Sequence, residues 1–508
     1  MKFSSLSISI FLAVQLVFAV PETKRQNGDG GSLLINPPGF PDLPRPQFRA
    51  ANTPATPGTV NFDDIQGDIL IGMRKHKERF FFFSIEDAAT FKSKLSSDIK
   101  SLITSTNQIL PEAQPQVDTA VNIAFSSRGL KALNVTDNLG DANFTNGQLV
   151  DAGSLGDPGT SNWVPAFTQT NIDGVFLLAS DDVQKIDDQL ANITSILGSS
   201  INEVYRLDGA ARPGNELGHE HFGYLDGVSQ PTISSDGSLP GQAVVPPGEI
   251  LVGTEGDTIT SRPSWATGGS FLAFRQLQQK VPEFNKYVQD HALNVPELSD
   301  EENADLFGAR LIGRWKSGAP IDLSPLHDDP DLGGDNMRNN NFTFAHPEIP
   351  GFDITTNQTF CPFSAHIRKT RPRADLQSED TGRHIIRAGT PYGPEVTDDE
   401  RASNKSSTDP SLERGLAFVA YQSVIANGFG FIQRTWADNP NFSKSNTGVD
   451  PIIGRIEGSA ADAPRNITGT DPLDFDKSFI LDIDFVVSRG GEYFFSPPIS
   501  ALSGALSA

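Results

Sequence analysis

A carboxylate and a guanidinium are the first side chains in this sequence with potential for chemistry. Asp226 lies in residues 223–231 among glycines and apolar residues, and glycines let the backbone approach a flat ligand closely. Arg387 lies in the apolar run 384–393, where it needs a carboxylate or a bound anion because an unpaired buried charge is costly. Asp226 is one candidate partner. The structural alternatives are that Asp226 caps a turn and that Arg387 forms an ordinary ion pair.

Histidines are the next candidates, because the chain has only eight of them to offer a metal. His366 lies in residues 361–370, in a mixed apolar and cationic context. It is either a ligand or a satisfied core or surface residue. His219 and His221 form an H-x-H pair whose spacing puts both rings on one face of a strand, which permits a zinc or copper site. No third ligand is evident for such a site.

The elements that must position these residues follow a regular order in the first half of the chain. Four segments are typical of strands and two of amphipathic helices. The strands are residues 79–85, 120–125, 174–178 and 204–207, and the helices are residues 87–104 and 181–197. Their order, βαββαβ, is that of the ferredoxin-like split βαβ unit. Residues 223–231 follow this unit and therefore lie between two domains, a common location for a cofactor cleft.

The second half predicts a similar unit with long loops inserted. Its strand candidates are residues 270–277, 384–387, 416–421 and 493–496, and its helix candidates are residues 282–293, the segment that follows the capping box of Ser299 and Glu302, and residues 424–436. The predicted fold class is therefore α+β, with two ferredoxin-like domains and antiparallel sheets. We place the domains at residues 61–235 and 236–508.

The N-terminal region indicates export. Residues 1–19 are typical of a signal peptide, with a positive start, a short apolar stretch and small residues at the cleavage position. Residues 20–60 are rich in Gly, Pro and Asn and predict a propeptide or a disordered arm. Glycosylation sequons occur at Asn134, Asn143, Asn192, Asn341, Asn357, Asn404, Asn441 and Asn466. We therefore expect a secreted, extracellular protein.

Charge and composition exclude several classes of partner. The net charge of −23 at pH 7 argues against nucleic acid, which requires a basic face. No later run is long and apolar enough for a membrane helix. The single cysteine, Cys361, cannot form an internal disulfide, so core burial or a bound cofactor must hold the chain together.

Five segments in order resemble the fungal branch of the dye-decolorising peroxidases. Residues 223–231 look like the family's G-x-x-D-G signature, with Tyr224 where the family usually has Phe. The other four are residues 64–70, 361–370, 385–393 and 491–502. Each is weak alone, but together they span essentially the whole mature chain. Members of this family have two ferredoxin-like domains with a haem between them, which fits the predicted architecture.

The resemblance implies a cofactor, one haem b per chain, and roles for individual residues. His366 matches the proximal ligand of the haem iron, and it is the predicted metal ligand. Asp226 matches the distal acid, and Arg387 matches the distal arginine that stabilises developing charge. Asp450 matches the carboxylate that accepts a hydrogen bond from His366.

Further residues would surround the haem or carry electrons. Leu416 and Phe418 resemble the apolar pair that covers the distal pocket. Tyr392 lies where some relatives carry a surface tyrosine that relays electrons from bulky donors. Three tryptophans are secondary candidates for this relay, with ordinary core packing as the alternative: Trp265, Trp315 and Trp436.

The function implied is a secreted haem peroxidase that uses hydrogen peroxide to oxidise dyes, phenols and other aromatic donors. An acidic optimum is expected, because a carboxylate base works at lower pH than an imidazole. The expected partners are peroxide and small aromatic or dye donors, without nucleic acid or membrane, in a monomer or dimer. Two alternatives stay open: a non-catalytic haem carrier, and a haem-thiolate peroxygenase that uses Cys361.

Overall fold

The computed structural model describes residues 60–110, 113, 115–234, 238–296, 298–376 and 382–508. The predicted signal peptide lies outside these residues, as does the predicted arm except for Val60. The strands are β1 (Lys77–Ile85), β2 (Thr119–Phe125), β3 (Gly174–Ser180), β4 (Ile201–Ala210), β5 (Ser270–Gln279), β6 (Ile386–Arg387), β7 (Thr390–Tyr392), β8 (Gly415–Gln422), β9 (Arg465–Ile467), β10 (Phe479–Leu481) and β11 (Val486–Ser496). The helices are α1 (Asp68–Ile71), α2 (Ala88–Lys94), α3 (Thr106–Ile109), α4 (Ser127–Ala132), α5 (Ala142–Asn146), α6 (Gln148–Asp151), α7 (Val183–Leu197), α8 (Val281–Asp290), α9 (Asp300–Ile312), α10 (Pro330–Gly333), α11 (His366–Thr370), α12 (Asp398–Ser403) and α13 (Phe429–Phe431).

The first half-sheet has the strand order β2-β3-β1-β4, and every neighbouring pair is antiparallel. This is the order of a ferredoxin-like unit, so the prediction for the first half is confirmed. Apolar side chains of α2 and α7 pack on one face of this half-sheet. The predicted helix 87–104 is regular only in α2, and it continues as a π turn (Leu95–Ile99) and a 3-10 turn (Lys100–Leu102).

The second half repeats this order as β11-β5-β8, with β6 and β7 both paired to β8. The capping box at the start of α9 is present, since Glu302 accepts from Ser299 N at 2.8 Å. The predicted helix 424–436 is shorter than expected, because Gly428 adopts a non-helical conformation. Only α13 and a π turn (Ile432–Ala437) form there.

The two half-sheets join at both edges into one closed, nine-stranded sheet. Phe125 pairs with Phe495 at one seam, and Gly209 pairs with Tyr392 at the other. A side chain at position 209 would not fit, because a Cβ there would lie 2.3 Å from Thr390 Cγ2. The two predicted domains therefore share one sheet.

Side chains fill the interior of this closed sheet. Phe82 lies at its centre, with ring centroids 5.4 Å from Phe167, 5.0 Å from Phe274 and 6.0 Å from Phe494. Strands of both halves contribute to this apolar cluster. These rings leave no room for a haem inside the closed sheet, so a cofactor has to lie on an outer face, where residues of both predicted domains can surround it.

No helix in the described part of the chain combines the length and apolarity that a membrane span requires.

Truncation of the central ring tests the closed sheet. We expect Phe82→Ala to lower the free energy of unfolding by about 3–5 kcal/mol, because it leaves a cavity between both half-sheets. Equilibrium urea titration followed by tryptophan fluorescence measures this loss. The control is Val150→Ala, which removes a side chain that is 74% exposed and should change stability by less than about 0.5 kcal/mol. Equal stability of the two variants would contradict the packed interior.

Candidate active site

A cavity of about 520 Å³ lies against the outer face of the second half-sheet. The alternation of β8 explains its position: Leu416 and Phe418 line the cavity, whereas Ala417 and Val419 belong to the interior cluster. The volume is within the range of sites that bind small molecules and cofactors.

The cavity brings together the side chains selected from the sequence. Its lining includes Asp226 from the loop between the half-sheets, Arg387 from β6 and His366 from the start of α11. Leu416 and Phe418 add apolar wall. Asp450 is not part of the lining, but it contacts His366 from behind.

Asp226 is held by two hydrogen bonds to a single oxygen. Its Oδ1 accepts from Gly227 N at 2.6 Å and from Arg387 Nη1 at 2.8 Å. Gln230 fixes the arginine in turn, since its side-chain amide donates to Arg387 O at 2.7 Å and accepts from Arg387 N at 3.1 Å. About a third of each charged side chain is exposed, and both line the cavity. Asp226 Oδ2 has no hydrogen-bond partner in the described part of the chain and is left for a ligand.

The charge of Arg387 decides the ionisation of Asp226. Burial raises the pKa of this carboxyl, but the charge and hydrogen bond of Arg387 and the Gly227 N–H lower it further. The net result is a pKa below the ordinary value for Asp. Asp226 therefore stays ionised in acidic solution and can accept a proton there.

His366 is oriented by a buried carboxylate. Its Nδ1 lies 2.7 Å from Asp450 Oδ2, and Asp450 is fully buried. Asp450 Oδ1 accepts from the backbone N–H groups of Ile452 and Ile453 at 2.8 and 3.1 Å. Burial lowers the pKa of His366, but the charge and hydrogen bond of Asp450 raise it more, so the net shift is upward. With Nδ1–H donated to Asp450, Nε2 carries the lone pair and is available to a metal.

A cationic wall completes the cavity. Arg314 is buried and donates to Gly318 O at 2.9 Å and to Asn339 O at 2.7 Å. Burial and the nearby Arg387 charge lower its pKa to about 10. Arg314 and Arg373 both donate to the amide oxygen of Asn340. Arg314 has no carboxylate partner among the described residues, so this wall suits an anionic ligand.

These features together fit a haem. An imidazole nitrogen backed by a carboxylate suits ferric iron, apolar side chains such as Leu416 and Phe418 suit the macrocycle, and the arginines suit its two propionates. His366 would hold the iron, while Asp226 and Arg387 would remain free for chemistry.

Tyr392 is not at the surface, and the expectation of a surface tyrosine is wrong. Its side chain is 5% exposed, and its hydroxyl donates to Glu413 at 2.9 Å. The strand pairing of β7 with β4 and β8 buries it, so a bulky dye cannot contact it directly.

The candidate tryptophans are mostly core residues, as the structural alternative predicted. Trp315 and Trp436 are buried, and the Trp315 indole donates to Ser324 O at 2.8 Å. Trp265 is half-buried, with its indole N–H donated to Asp137 at 3.1 Å.

The H-x-H pair forms no metal site. His219 Nε2 lies 3.1 Å from Lys316 O, and His221 Nε2 lies 2.9 Å from Tyr392 O. Burial lowers the pKa of His221 to about 4, so it is neutral. No group of three potential metal ligands occurs in the part of the chain that the structure describes. Both rings instead anchor the loop that carries Asp226.

Cys361 gives no support to the thiolate alternative. It is buried among the apolar residues around α8 and α9 and is not part of the cavity lining. Burial raises the pKa of its thiol to about 12, which disfavours the thiolate that iron ligation needs.

Sequence reasoning missed three residues of the site. Glu220 accepts from Phe222 N at 2.8 Å and from Tyr224 N at 2.9 Å, and burial raises its pKa to about 7. Gln230 and Arg314 were also missed: Gln230 binds the backbone of Arg387, far away in the sequence, and Arg314 binds the carbonyl oxygens of Gly318 and Asn339. The acidic type of Glu220 and its place six positions before Asp226 were a signal for its role. No sequence pattern pointed to Gln230 or Arg314.

Comparison with known proteins identifies the family. A family model described as DyP dimeric alpha+beta barrel domain matches residues 64–213, and one described as Dyp-type peroxidase, C-terminal, matches residues 249–447. A dye-decolorizing peroxidase of Mycetinis scorodonius is 58% identical, covering 94% of this chain and 93% of that protein. Another from Auricularia auricula-judae is 54% identical, covering 94% and 92%.

A solved structure agrees with the fold as well. The crystal structure of a fungal DyP-type peroxidase from Auricularia auricula-judae has a TM-score of 0.84 and 54% identity, and the match covers 89% of this chain and all of that one. The chain belongs to the fungal dye-decolorising peroxidases and is a haem peroxidase.

Proposed function

We propose that this chain is a secreted peroxidase that binds one haem b through His366 and uses hydrogen peroxide to oxidise dyes, phenols and other aromatic donors. Asp226 is the acid–base catalyst, Arg387 is its charge partner, and the optimum is acidic. One observation carries the proposal: Asp226 with its free Oδ2 and His366 with its free Nε2 line the same cavity.

The bound haem would supply a ferric iron that coordinates peroxide and accepts its oxidising equivalents. The protein's part is to hold and to move protons. His366 binds the iron through Nε2, and Asp450 keeps the imidazole rich in electrons by accepting its Nδ1–H. Arg314 and Arg373 lie where anionic propionates can be neutralised.

Asp226 moves the proton that peroxide cleavage requires. Its free Oδ2 would accept a proton from one oxygen of hydrogen peroxide and return it to the other, so that this second oxygen could leave as water. Arg387 donates Nη1–H to Asp226 Oδ1 at the edge of the same space, where its positive charge would stabilise the charge that develops on the breaking O–O bond.

The lowered pKa of Asp226 sets the acidic range. The carboxylate is the active form, and Arg387 keeps it ionised at a pH where an ordinary buried carboxyl would be protonated. Activity therefore persists in acid and is lost only when pH falls through the lowered pKa.

The sequons support secretion. None of the eight asparagines is buried: six are exposed, and Asn143 and Asn357 are half-buried. An oligosaccharide could reach each of them without disrupting the core. The natural donor and the choice between monomer and dimer stay open within the proposal.

Removal of the acid–base group tests the function directly. We expect the haem-loaded Asp226→Asn variant to keep its Soret band but to react with peroxide about 10²–10⁴-fold more slowly, since an amide cannot accept the proton. Stopped-flow absorption measures both quantities. Asp335→Asn removes a half-buried, arginine-paired carboxylate outside the cavity lining; it is the matched control and should react like the wild type. Wild-type speed in Asp226→Asn would exclude this role, and a wild-type Soret band that peroxide leaves unchanged would refute the peroxidase itself.

Removal of the charge partner tests the acidic range. Without Arg387, burial dominates and the pKa of Asp226 rises, so the carboxylate is lost at a higher pH. We expect Arg387→Leu to shift the acid limb of the pH profile for peroxide reaction toward neutral, with the greatest loss of rate at low pH.

The matched control is Arg338→Gln, which removes an exposed arginine outside the cavity lining. Its pH profile should coincide with that of the wild type. A uniform loss of rate in Arg387→Leu, without any shift of the acid limb, would show that Arg387 does not control the ionisation of Asp226.

A further inference from the structure

Tyrosine can be oxidised by one electron, and this oxidation releases the phenolic proton. The chain has six tyrosines. In three pairs the phenol donates to a carboxylate: Tyr392 to Glu413 at 2.9 Å, Tyr421 to Asp68 at 2.7 Å and Tyr493 to Asp151 at 2.7 Å. These three pairs have a built-in acceptor for the proton.

One of the three pairs is linked to the cavity by aromatic rings. Phe418 and Phe429 line the cavity, and their centroids are 5.7 Å apart. Phe429 in turn lies 6.4 Å from Tyr493. Among the described residues, Tyr392 and Tyr421 make no comparable ring contact. Tyr493 therefore has both a proton acceptor and a short path for an electron.

The surroundings of Asp151 favour its role as acceptor. Its Oδ2 also accepts from Asn143 Nδ2 at 2.9 Å, and Arg434 lies 3.4 Å from Oδ1. The Asp151 side chain is 13% exposed, so a proton received there can be exchanged with solvent. Tyr493 itself is fully buried, so a dye molecule cannot touch it.

We propose that Tyr493 and Asp151 form an internal redox site that takes up one oxidising equivalent when no donor occupies the cavity. One electron leaves the phenol and passes through Phe429 and Phe418 to the cavity. There it consumes one of the two oxidising equivalents that peroxide has delivered. The Oη–H bond breaks, an O–H bond forms on Asp151 Oδ2, and a neutral tyrosyl radical remains. An electron from a later donor reverses the step, and Asp151 returns the proton.

This site differs from the surface relay expected from the sequence. A buried radical cannot oxidise bulky substrates, but it removes an oxidising equivalent that would otherwise attack the cofactor or its walls. The site thus acts as a protective store between turnovers. It rests on the proposed peroxidase function.

Freeze-quench electron paramagnetic resonance after one equivalent of peroxide, without donor, tests the inference. We expect a tyrosyl signal in the wild-type holoenzyme and its loss in Tyr493→Phe. Tyr421→Phe is the matched control, since it removes an equally buried phenol with a carboxylate partner at the same distance, and it should keep the signal. Asp151→Asn keeps Tyr493 but removes the base, so the signal should fall there too.

A second readout is cofactor survival. Repeated additions of peroxide should bleach the Soret band of Tyr493→Phe faster than that of Tyr421→Phe. A tyrosyl signal that persists in both Tyr493→Phe and Asp151→Asn, or a wild type without tyrosyl signal, overturns the inference. If the wild-type Soret band responds to peroxide while these variants behave like the wild type, only the internal redox site fails. An unresponsive Soret band overturns the peroxidase function together with it.

Discussion

The closed sheet encloses a single interior, and side chains from both half-sheets fill it. The alternation of each strand then decides what remains for the outer face. In β8, Ala417 and Val419 point inward while Leu416 and Phe418 face the cavity. In β6, Ile386 belongs to the interior cluster and the neighbouring Arg387 lines the cavity. The cavity therefore lies outside the sheet, because side chains of both half-sheets occupy the inside.

Two carboxylates give the cavity opposite properties on its two sides. Asp226 faces the cavity and shares one oxygen with Arg387, so its other oxygen is free for a ligand. Asp450 lies behind His366 with both oxygens occupied, so it can only orient and polarise the ring. One carboxylate is thus a reagent and the other a support, although both are aspartates in the same site. Exposure and the number of hydrogen-bond donors make the difference.

The strands and the candidate reactive residues could be predicted from the sequence. The closure of the two half-sheets into one sheet could not. Period-two burial and helical spacing revealed both ferredoxin-like units, because these patterns are local. Each seam between the units depends on one residue pair, such as Gly209 with Tyr392, and a single pair leaves no pattern. The burial of Tyr392 at this seam could not be predicted for the same reason. Type and context made Asp226, His366 and Arg387 candidates, but their roles came from the family resemblance. Asp450 needed the family resemblance, because 84 residues separate it from His366. Gln230 was missed because only the fold brings it to the backbone of Arg387, and Arg314 was missed because no sequence pattern marks an arginine that binds backbone carbonyls.

The buried position of Cys361 has a practical consequence. It is the chain's only cysteine, so no covalent cross-link within the chain contributes to the fold. Burial and a high pKa also make its thiol a poor nucleophile. The folded protein is thus indifferent to the thiol–disulfide balance of its surroundings. A thiol reagent should therefore react with an introduced, exposed cysteine in preference to the native one.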